Sequence, residues 1–440
     1  MITRQTPTKL ENIAVLGLGR AGLAAARLAL DAGLSVVCFD DQMSSCESLP
    51  ETCFVPPQGW DWAQLDALVI SPGIPHEFPF PHPVAEQARK AGLPLICDIE
   101  LAIRLQSPSR WIAITGTNGK STTTALIAHI LKEAGIVAVA GGNLGPAVAS
   151  LNAPGKDGVR VIEISSYQLE LTPSLRPDIA VILNLSADHL DRHGGWDGYL
   201  AAKRQILAGL AVNGLAILGP GPALDEMAAT LSKRADAPAL TRLADSYTDA
   251  DIADNPALPG GHNAQNCAAA RAACARLGLT SEQIEAGIAS FAGLPHRLQP
   301  AGQAGPVRLV NDSKATNAAA AATALQSFEQ IYWCAGGQAK QDGLADCLPH
   351  LDRVVQGYLY GAAAQDFAAQ LAGRLATECF ASMDEAVRAA FRAALQASGE
   401  PVVLLSPAAA SFDQFDNFEA RGAAFMKLAA SLCQPAGDRP

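Results

Sequence analysis

A glycine-rich loop between an apolar strand and a helix is the strongest chemical signal in the sequence. Residues 114–131 read ITGTNGKSTTTALIAHIL. Glycines let the backbone curl so that several N–H groups point at phosphate oxygens, and the helix adds its positive end. Lys120 can reach β- and γ-phosphates, and a following hydroxyl can bind Mg²⁺. The strict G-x4-G-K-[ST] pattern is not met, because Ile114 replaces the first glycine. The predicted phosphate-binding residues are Gly116, Thr117, Asn118, Gly119, Lys120, Ser121 and Thr122.

Three later side chains have both a chemical and a plain structural interpretation. Glu163 ends an apolar run, where a carboxylate suits a hard cation, although a glutamate there is more often a surface residue. His189 follows another apolar run, and a single histidine is more often a satisfied structural residue. Lys203 lies in a helical stretch, where a lysine is usually solvated. The residues alone leave these alternatives open.

A second glycine motif lies near the start of the chain. Residues 17–22 read GLGRAG, which fits G-x-G-x-x-G between a strand and a helix, and Asp40 ends the next strand. This pattern is typical of dinucleotide-binding folds, so it favours an NAD(P)-linked oxidoreductase. The second phosphate loop in the same chain weighs against that interpretation.

Apolar runs alternate with helical stretches along the whole chain, which indicates parallel α/β domains. We predict three domains, residues 1–98, 99–299 and 300–440. The predicted strands are 13–16, 34–39, 67–70, 93–97, 111–115, 160–164, 179–184, 215–218, 307–310, 331–334, 354–359 and 401–405. The predicted helices include 21–31, 99–105, 120–134 and 260–277, and the stretch QPAGQAGP after Leu298 is predicted to form turns.

The bulk composition narrows the class of protein. The chain has 440 residues, is 49% hydrophobic and 17% charged, and carries a net charge of −11. Such an acidic globular protein is a poor candidate for nucleic-acid binding. The start has no signal-peptide pattern, and no apolar run approaches the ~20 residues that span a bilayer. The 10 cysteines show no CxxC or zinc spacing, so we expect free thiols, a cytoplasmic location and no membrane insertion.

The loop TGTNGKST resembles the ATP loop of the Mur ligases and of their relative folylpolyglutamate synthase, and further motifs follow in the family's order over nearly the whole chain. The resemblance implies an N-terminal Rossmann-like UDP-binding domain, a central P-loop ATPase-like domain and a C-terminal Rossmann-like domain. It implies ATP and Mg²⁺ as cofactors and an acyl-phosphate route to an amide in peptidoglycan synthesis. The motif details are most similar to members that join D-glutamate to UDP-N-acetylmuramoyl-L-alanine, and a monomer is expected.

Two of these motifs imply metal ligands. VIEISSYQLE is similar to the family pattern E-[LI]-S-S-[FY]-Q-L, whose glutamate binds Mg²⁺, which implies this role for Glu163. NLSADHLDRHG is similar to N-x-x-x-D-H-x-D, which implies that His189 binds a second Mg²⁺ with support from Asp188. The resemblance also implies that CO₂ carbamylates Lys203. The implied metal ligands are Ser121, Glu163, His189 and carbamylated Lys203, and the implied catalytic residues are Lys120, Lys203, His189 and Glu163.

Motifs in the first half imply the nucleotide-sugar site. The helix that begins near Arg20 would face the diphosphate, and Asp40 would approach the uridine. SPGIP resembles the family's SPG turn, and GGNLG offers Asn143, although that segment alone is also read as a simple turn. The implied UDP-substrate residues are Gly17, Leu18, Gly19, Arg20, Asp40, Asp41, Ser71, Gly73 and Asn143.

Motifs in the second half imply ATP and D-glutamate contacts. GGHNAQN, LPHR and NDSKATN imply ATP-site residues, with Asn266 at the adenine and Asp312 at the ribose. The loop GGQAKQDG departs from the family pattern, because Asp342 comes one residue early and no Phe follows. The C-terminal signature SPAAASFDQFDNFEARG has Ala409 where the family has Cys. The implied residues are Asn266, Arg297, Asp312, Lys314 and Thr316 for ATP, and Lys340, Ser411, Phe412 and Phe418 for D-glutamate.

Three alternatives stay open at this point. One is another Mur ligase or a folate polyglutamate ligase, although the D-x-P-R motif of the lysine-tripeptide members is absent. The second is the oxidoreductase suggested by the first glycine motif. The third is a UDP-sugar-binding protein that has lost ATP turnover.

Overall fold

A computed structural model of the chain describes residues 9–42, 48–143, 145–234, 236–247, 254–339 and 343–434. The strands are β1 (Asn12–Leu16), β2 (Ser35–Phe39), β3 (Ala67–Ile70), β4 (Leu95–Ile96), β5 (Arg110–Thr115), β6 (Ala138–Gly142), β7 (Val159–Glu163), β8 (Ile179–Ile182), β9 (Leu215–Leu218), β10 (Ala239–Arg242), β11 (Gln299–Ala304), β12 (Val307–Asn311), β13 (Ile331–Gly336), β14 (Val354–Tyr360), β15 (Thr377–Phe380) and β16 (Val402–Leu405). The α-helices are α1 (Arg20–Asp31), α2 (Pro83–Lys90), α3 (Asp98–Leu105), α4 (Lys120–Glu133), α5 (Ser166–Glu170), α6 (Trp196–Ala208), α7 (Pro222–Ser232), α8 (Gly261–Arg276), α9 (Ser281–Ser290), α10 (Ala318–Leu325), α11 (Ala364–Leu371), α12 (Met383–Ala394) and α13 (Phe418–Leu432).

The chain forms two compact units. The first covers the described residues of Met1–Ser246 and Gln265–Ile288, and the second those of Tyr247–Ala264 and Ala289–Pro440. The first unit holds two sheets and the second holds one. The α/β fold class is confirmed, whereas the domain boundaries at residues 98 and 299 stay a prediction. Among the described residues, no helix has the length and apolar character needed to cross a membrane.

The first sheet has the order β2-β1-β3-β4 with parallel pairing. Its strands β1 and β3 are nearly fully buried, as expected for a parallel sheet covered on both faces. Helix α1 packs on it through alanines and Gly22, which allow a close approach. Leu16 pairs with both Phe39 and Ile70, so three chain segments leave the sheet at one carboxyl edge.

Gly22 is a position where this close approach leaves no room for a side chain. A Cβ there would overlap the carbonyl oxygen of Gly17, a backbone atom that cannot move cheaply. We expect Gly22→Ala to lower the free energy of unfolding by about 1–3 kcal/mol, although alanine is the better helix former. This loss would be measured as a lower urea concentration at the midpoint of unfolding. Gly19→Ala is the matched control, because a Cβ at Gly19 meets no atom within 4 Å; equal midpoints for the two variants would contradict the prediction.

The second sheet has the order β10-β9-β8-β5-β7-β6, with parallel pairing throughout. Strand β5 lies between β7 and β8, and its last residues lead into the glycine loop and α4. The pairing of Ile114 with Glu163, and of Gly142 with Glu163, brings the ends of β5, β6 and β7 to one edge. Because ligands of open α/β sheets bind at the carboxyl ends of strands, this edge is the candidate site.

The third sheet has the order β11-β12-β16-β13-β14-β15. Its strands pair in parallel except β11, which runs antiparallel to β12. The turns predicted over QPAGQAGP are therefore wrong for residues 299–304, which form this edge strand, whereas Gly305 and Pro306 do form a turn. Proline is tolerated there because an edge strand leaves some N–H groups unpaired, and a register shift lies between Pro300 and Gly302.

Candidate active site

The phosphate loop has the backbone that its glycines predict. Gly116 and Gly119 have φ angles of 146° and 83°, a region that side chains rarely adopt. Helix α4 begins immediately afterwards, at Lys120. The Lys120 ammonium donates to the carbonyl oxygens of Gly116 (3.0 Å) and Thr117 (2.7 Å). The loop therefore combines a helix N-terminus with a cation, which is the arrangement that binds phosphate groups.

Glu163 is buried beside the loop, so the alternative of a surface residue at a strand end is wrong. Its side chain is 1% exposed. The Ser121 hydroxyl donates to Glu163 Oε2 at 2.6 Å, and the Asn143 amide donates to Oε1 at 3.2 Å. A carboxylate and a hydroxyl are the oxygen donors that Mg²⁺ prefers. These two residues therefore fit a magnesium site, although the described residues hold no cluster of three or more His, Cys, Asp or Glu side chains.

Lys203 is also buried, which makes the solvated alternative wrong. The residue is 2% exposed on α6, and its amine donates to Thr115 Oγ1 (2.8 Å) and to the Gly116 carbonyl (3.0 Å). Burial, followed by the nearby charge of Lys120, lowers the pKa of Lys203 to about 7. The Thr115 hydroxyl donates to Ile164 O, so it presents lone pairs to the lysine. Lys203 and Lys120 therefore contact the same loop carbonyl.

His189 lies at the surface of the same unit. Its side chain is 56% exposed, and its Nε2 lies 3.5 Å from Asp188 Oδ2. Its ring lies 5.5 Å from that of Tyr167, and its φ of 52° is in the left-handed region. Asp188 therefore lies beside His189, and its supporting role stays a prediction. The role of His189 as a metal ligand also stays a prediction.

Eight of the nine predicted UDP-site residues lie at the carboxyl edge of the first sheet, whereas Asn143 follows β6 of the second sheet. Asp40 accepts hydrogen bonds from the backbone N–H of Leu18 (2.7 Å) and Gln42 (2.9 Å), so it fixes the glycine turn. The Ser71 hydroxyl donates to Gly17 O at 2.8 Å. Further contacts join Arg20 to Gly145 O (3.2 Å), and Asp41 to His82 (3.1 Å). The edge thus brings Gly17, Leu18, Gly19, Asp40, Ser71 and Gly73 together.

Asn266 lies under the phosphate loop. It is buried on α8, and its Oδ1 accepts a hydrogen bond from Thr123 Oγ1 at 3.1 Å. A Cβ at Gly119 would overlap that same oxygen, so glycine is required for the approach. Asn266 therefore belongs to the loop's surroundings, and its contact with adenine stays a prediction.

In the second unit, Asp312 lies next to the LPHR segment. It is buried after β12 and accepts hydrogen bonds from Ser406 Oγ (2.8 Å) and Leu298 N (3.2 Å). Burial raises the pKa of Asp312 to about 7, against the lowering effects of the Ser406 hydrogen bond and the charge of Arg297. His296 and Leu298 have φ angles of 62° and 41°, which is strained for non-glycine residues. Backbone strain of this kind is often found at functional sites.

Among the predicted ligand residues of the second unit, the D-glutamate residue Phe418 lies against the ATP residue Lys314. The Lys314 ammonium lies 4.5 Å from the Phe418 ring centroid, and the His296 ring packs edge-on to Phe418. Ser411 is buried, whereas Phe412 is 69% exposed. The Thr316 N–H donates to Lys314 O at 2.8 Å. Lys340 and Asp342 lie outside the described residues.

Two residues that contact the predicted site segments were not predicted from the sequence. Arg421 is fully buried, and its guanidinium donates to Ser313 O (2.9 Å), Ser313 Oγ (3.0 Å) and Ala409 O (3.1 Å). It thereby ties the NDSK segment to the SPAAAS turn. The Tyr199 hydroxyl lies 2.9 Å from Thr117 Oγ1, and Lys203 Nζ lies 5.3 Å from its ring centroid. Both had a usable signal: Arg421 stands inside the quoted signature SPAAASFDQFDNFEARG, and Tyr199 lies four residues before Lys203 on the same helix.

Comparison with known proteins agrees with this geometry. The family description "Mur ligase middle domain" matches residues 114–274, and "Mur ligase, glutamate ligase domain" matches residues 296–409. A relative from Paramagnetospirillum magneticum, named UDP-N-acetylmuramoylalanine–D-glutamate ligase, is 42% identical over 96% of this chain and 97% of its own length. The chain belongs to the Mur ligase family. A relative of the same name from Cereibacter sphaeroides is 44% identical over 96% of this chain and 97% of its own length.

The Mur ligase fold is also found in solved structures. The structure of UDP-N-acetylmuramate–alanine ligase MurC from Thermotoga maritima superposes with a TM-score of 0.58. The two sequences are 17% identical, and the superposition covers 96% of this chain and 100% of the MurC chain. At this identity the likeness concerns the fold alone. The expected family and its multi-domain α/β architecture are therefore confirmed.

Proposed function

We propose that this Mur ligase is an ATP-dependent amide ligase that joins D-glutamate to UDP-N-acetylmuramoyl-L-alanine in peptidoglycan precursor synthesis. The relatives that share 42% and 44% identity along nearly the whole chain carry this activity in their names. The observation that carries the chemistry is the convergence of Lys120, Lys203 and the Ser121–Glu163 pair on one phosphate loop. The family assignment argues against the oxidoreductase alternative.

The reaction proceeds in two steps. The L-alanyl carboxylate attacks the γ-phosphorus of ATP, ADP leaves, and an acyl phosphate forms. The neutral amine of D-glutamate then attacks the acyl carbon, phosphate leaves, and the nitrogen loses a proton to give the amide. Because phosphoryl transfer depends on positioning and on charge neutralisation, the loop N–H groups and the Lys120 ammonium have the central role.

The buried carboxylate defines where a cation would bind. Ser121 and Glu163 would hold Mg²⁺, which supplies charge neutralisation for the transferred phosphoryl group. A carbamate on Lys203 and the imidazole of His189 are the proposed further ligands. Asn143 fixes the orientation of the Glu163 carboxylate through its hydrogen bond to Oε1.

The substrates are assigned to separate parts of the chain. The turns at Gly17 and Ser71 hold the UDP group, with Asp40 fixing the first turn. Residues of the second unit, with Lys340, hold D-glutamate. Asn266, Arg297, Asp312, Lys314 and Thr316 contact ATP. The monomeric state and the cytoplasmic location also stay predictions.

One assay separates the candidates. The purified chain is incubated with ATP, Mg²⁺ and UDP-N-acetylmuramoyl-L-alanine, and phosphate release is followed with D- or L-glutamate. We expect one ADP and one phosphate per amide with D-glutamate and a much slower reaction with L-glutamate. Without D-glutamate, hydroxylamine should trap the acyl phosphate as a hydroxamate. Absence of phosphate release with D-glutamate would overturn the assignment, and UDP-substrate binding without turnover would favour the binding-protein alternative.

A further inference from the structure

Arg192 joins two turns that the proposed function assigns to different ligands. Its guanidinium donates to the backbone carbonyls of Gly73 (3.2 Å) and Pro72 (3.4 Å) in the turn after β3. Arg192 itself belongs to the 3-10 turn Leu190–His193, which directly follows His189. One side chain therefore connects the UDP-site turn with the histidine proposed to bind the second Mg²⁺.

Tyr167 extends this contact to His189 itself. The Arg192 guanidinium carbon lies 4.5 Å from the Tyr167 ring centroid, within the range of a cation–π interaction. The His189 and His193 rings lie 5.5 Å and 5.1 Å from the same ring. One aromatic ring therefore contacts the side chains of Arg192, His189 and His193.

Glu170 provides a second link between the same two turns. Its carboxylate lies 3.0 Å from His193 Nδ1 and 3.3 Å from His76 Nε2. Burial alone would raise the pKa of Glu170, but the hydrogen bonds from His193 and His76 outweigh burial and hold that pKa below its ordinary value. His193 Nε2 also lies 2.8 Å from Ser166 Oγ, so its ring is fixed at both nitrogens.

The backbone at His189 needs such support. Its φ of 52° is in the left-handed region, which is strained for a non-glycine residue. The strain persists only where the surroundings hold the conformation. The contacts of Arg192 and Tyr167 lie within three residues of His189 or against its ring, so they supply that restraint.

We propose that Arg192 is a positioning residue that fixes the turn at Pro72–Gly73 and the His189 turn in one arrangement, so that the UDP site and the second metal site form together. The inference rests on the proposed function of these two turns. Arginine suits the role, because its planar fork bonds two carbonyls while its face stacks on an aromatic ring. Lysine carries a single point charge and lacks the planar fork, so it cannot make the same set of contacts.

The first test measures UDP binding by calorimetry and needs no turnover. We expect Arg192→Ala to weaken UDP binding about tenfold, the lower end of what loss of a supporting contact costs. Arg192→Lys should recover only part of the lost UDP affinity. If circular dichroism shows that Arg192→Ala does not fold, Arg192→Lys is used in its place. Arg89→Ala is the matched control, because Arg89 makes an exposed 3.8 Å ion pair with Glu77 in the same unit; its UDP affinity should equal that of the wild type.

The second test measures Mn²⁺ binding by electron paramagnetic resonance in the presence of β,γ-imido-ATP. We expect Arg192→Ala to raise the Mn²⁺ dissociation constant of the weaker site about tenfold, with the affinity for the nucleotide unchanged. A general loss of structure would lower every affinity together. A folded variant with wild-type UDP and Mn²⁺ affinities overturns the inference. If the wild-type protein lacked D-glutamate ligase activity, the proposed function would be wrong. The UDP affinities of the wild type and of Arg192→Ala would still decide whether Arg192 is a positioning residue.

Discussion

Replacing Lys203 with alanine is expected to lower the ligase rate by about 10²–10³-fold, the loss that follows removal of one preorganised charged group from an active site. The buried amine contacts Thr115 Oγ1 and the Gly116 carbonyl directly at the phosphate loop. In the proposed carbamate, the neutral lysine amine bonds to the carbon of CO₂ and loses one proton, which turns a neutral group into an anion. Starting from the ammonium, two protons are released in all. The measurement is phosphate release with and without acetate or formate.

Small carboxylates distinguish a carbamate from a plain structural lysine. Formate or acetate can occupy the space left by Lys203→Ala and restore part of the rate. Lys233→Ala, at an exposed position after α7, is the control and should stay within about twofold of the wild type. A variant that small carboxylates never rescue would count against the carbamate.

The pH dependence of carbamylation has a defined sign. Burial and the charge of Lys120 lower the pKa of Lys203 to about 7, so its amine is neutral above this pH and protonated below it. Only the neutral amine attacks CO₂. We therefore expect the rate to fall as the pH drops below about 7, and carboxylate-rescued Lys203→Ala to lack this loss.

The sequence predicted the backbone of this site better than its side-chain environment. Parallel pairing places the ends of β5 and β7 at one edge and so brings Glu163 beside the glycine loop. The residues alone left a surface position for Glu163 open, and only the family motif implied the metal role. The burial of Lys203 was not predictable from its helix, because helical periodicity does not say which charged side chain turns inward. Its burial depends on Thr115 and Gly116, which lie nearly ninety residues away.

Local composition gave a wrong prediction where strand pairing determines the secondary structure. Gln299–Ala304 contains glycine and proline and looks like a series of turns, yet pairing with β12 makes it a strand. The contacts of Arg421 with Ser313 depend on the meeting of two segments 108 residues apart, which no spacing rule encodes. Family motifs therefore located these segments, whereas the energetic roles of the side chains required the structure.

Replacing Lys120 with alanine should lower kcat by about 10²–10³-fold, because its ammonium is positioned for charge that develops on the transferred phosphoryl group. The ammonium lies at the carbonyls of Gly116 and Thr117, at the N-terminus of α4. The loss should fall on acyl-phosphate formation, so hydroxylamine should trap correspondingly less hydroxamate. The KM values for UDP-N-acetylmuramoyl-L-alanine and D-glutamate should change little, since other residues are assigned to those substrates.

Lys132 gives a control on the same helix. It is an exposed lysine in the last turn of α4, so Lys132→Ala removes the same charge at the opposite end of the helix dipole. We expect Lys132→Ala to keep wild-type kinetics. If both variants lost activity equally, the effect would come from helix stability or net charge, because Lys120 contacts the loop and Lys132 lies at the other end of the helix. A Lys120→Ala protein that still forms hydroxamate at the wild-type rate would remove the loop lysine from the chemistry altogether.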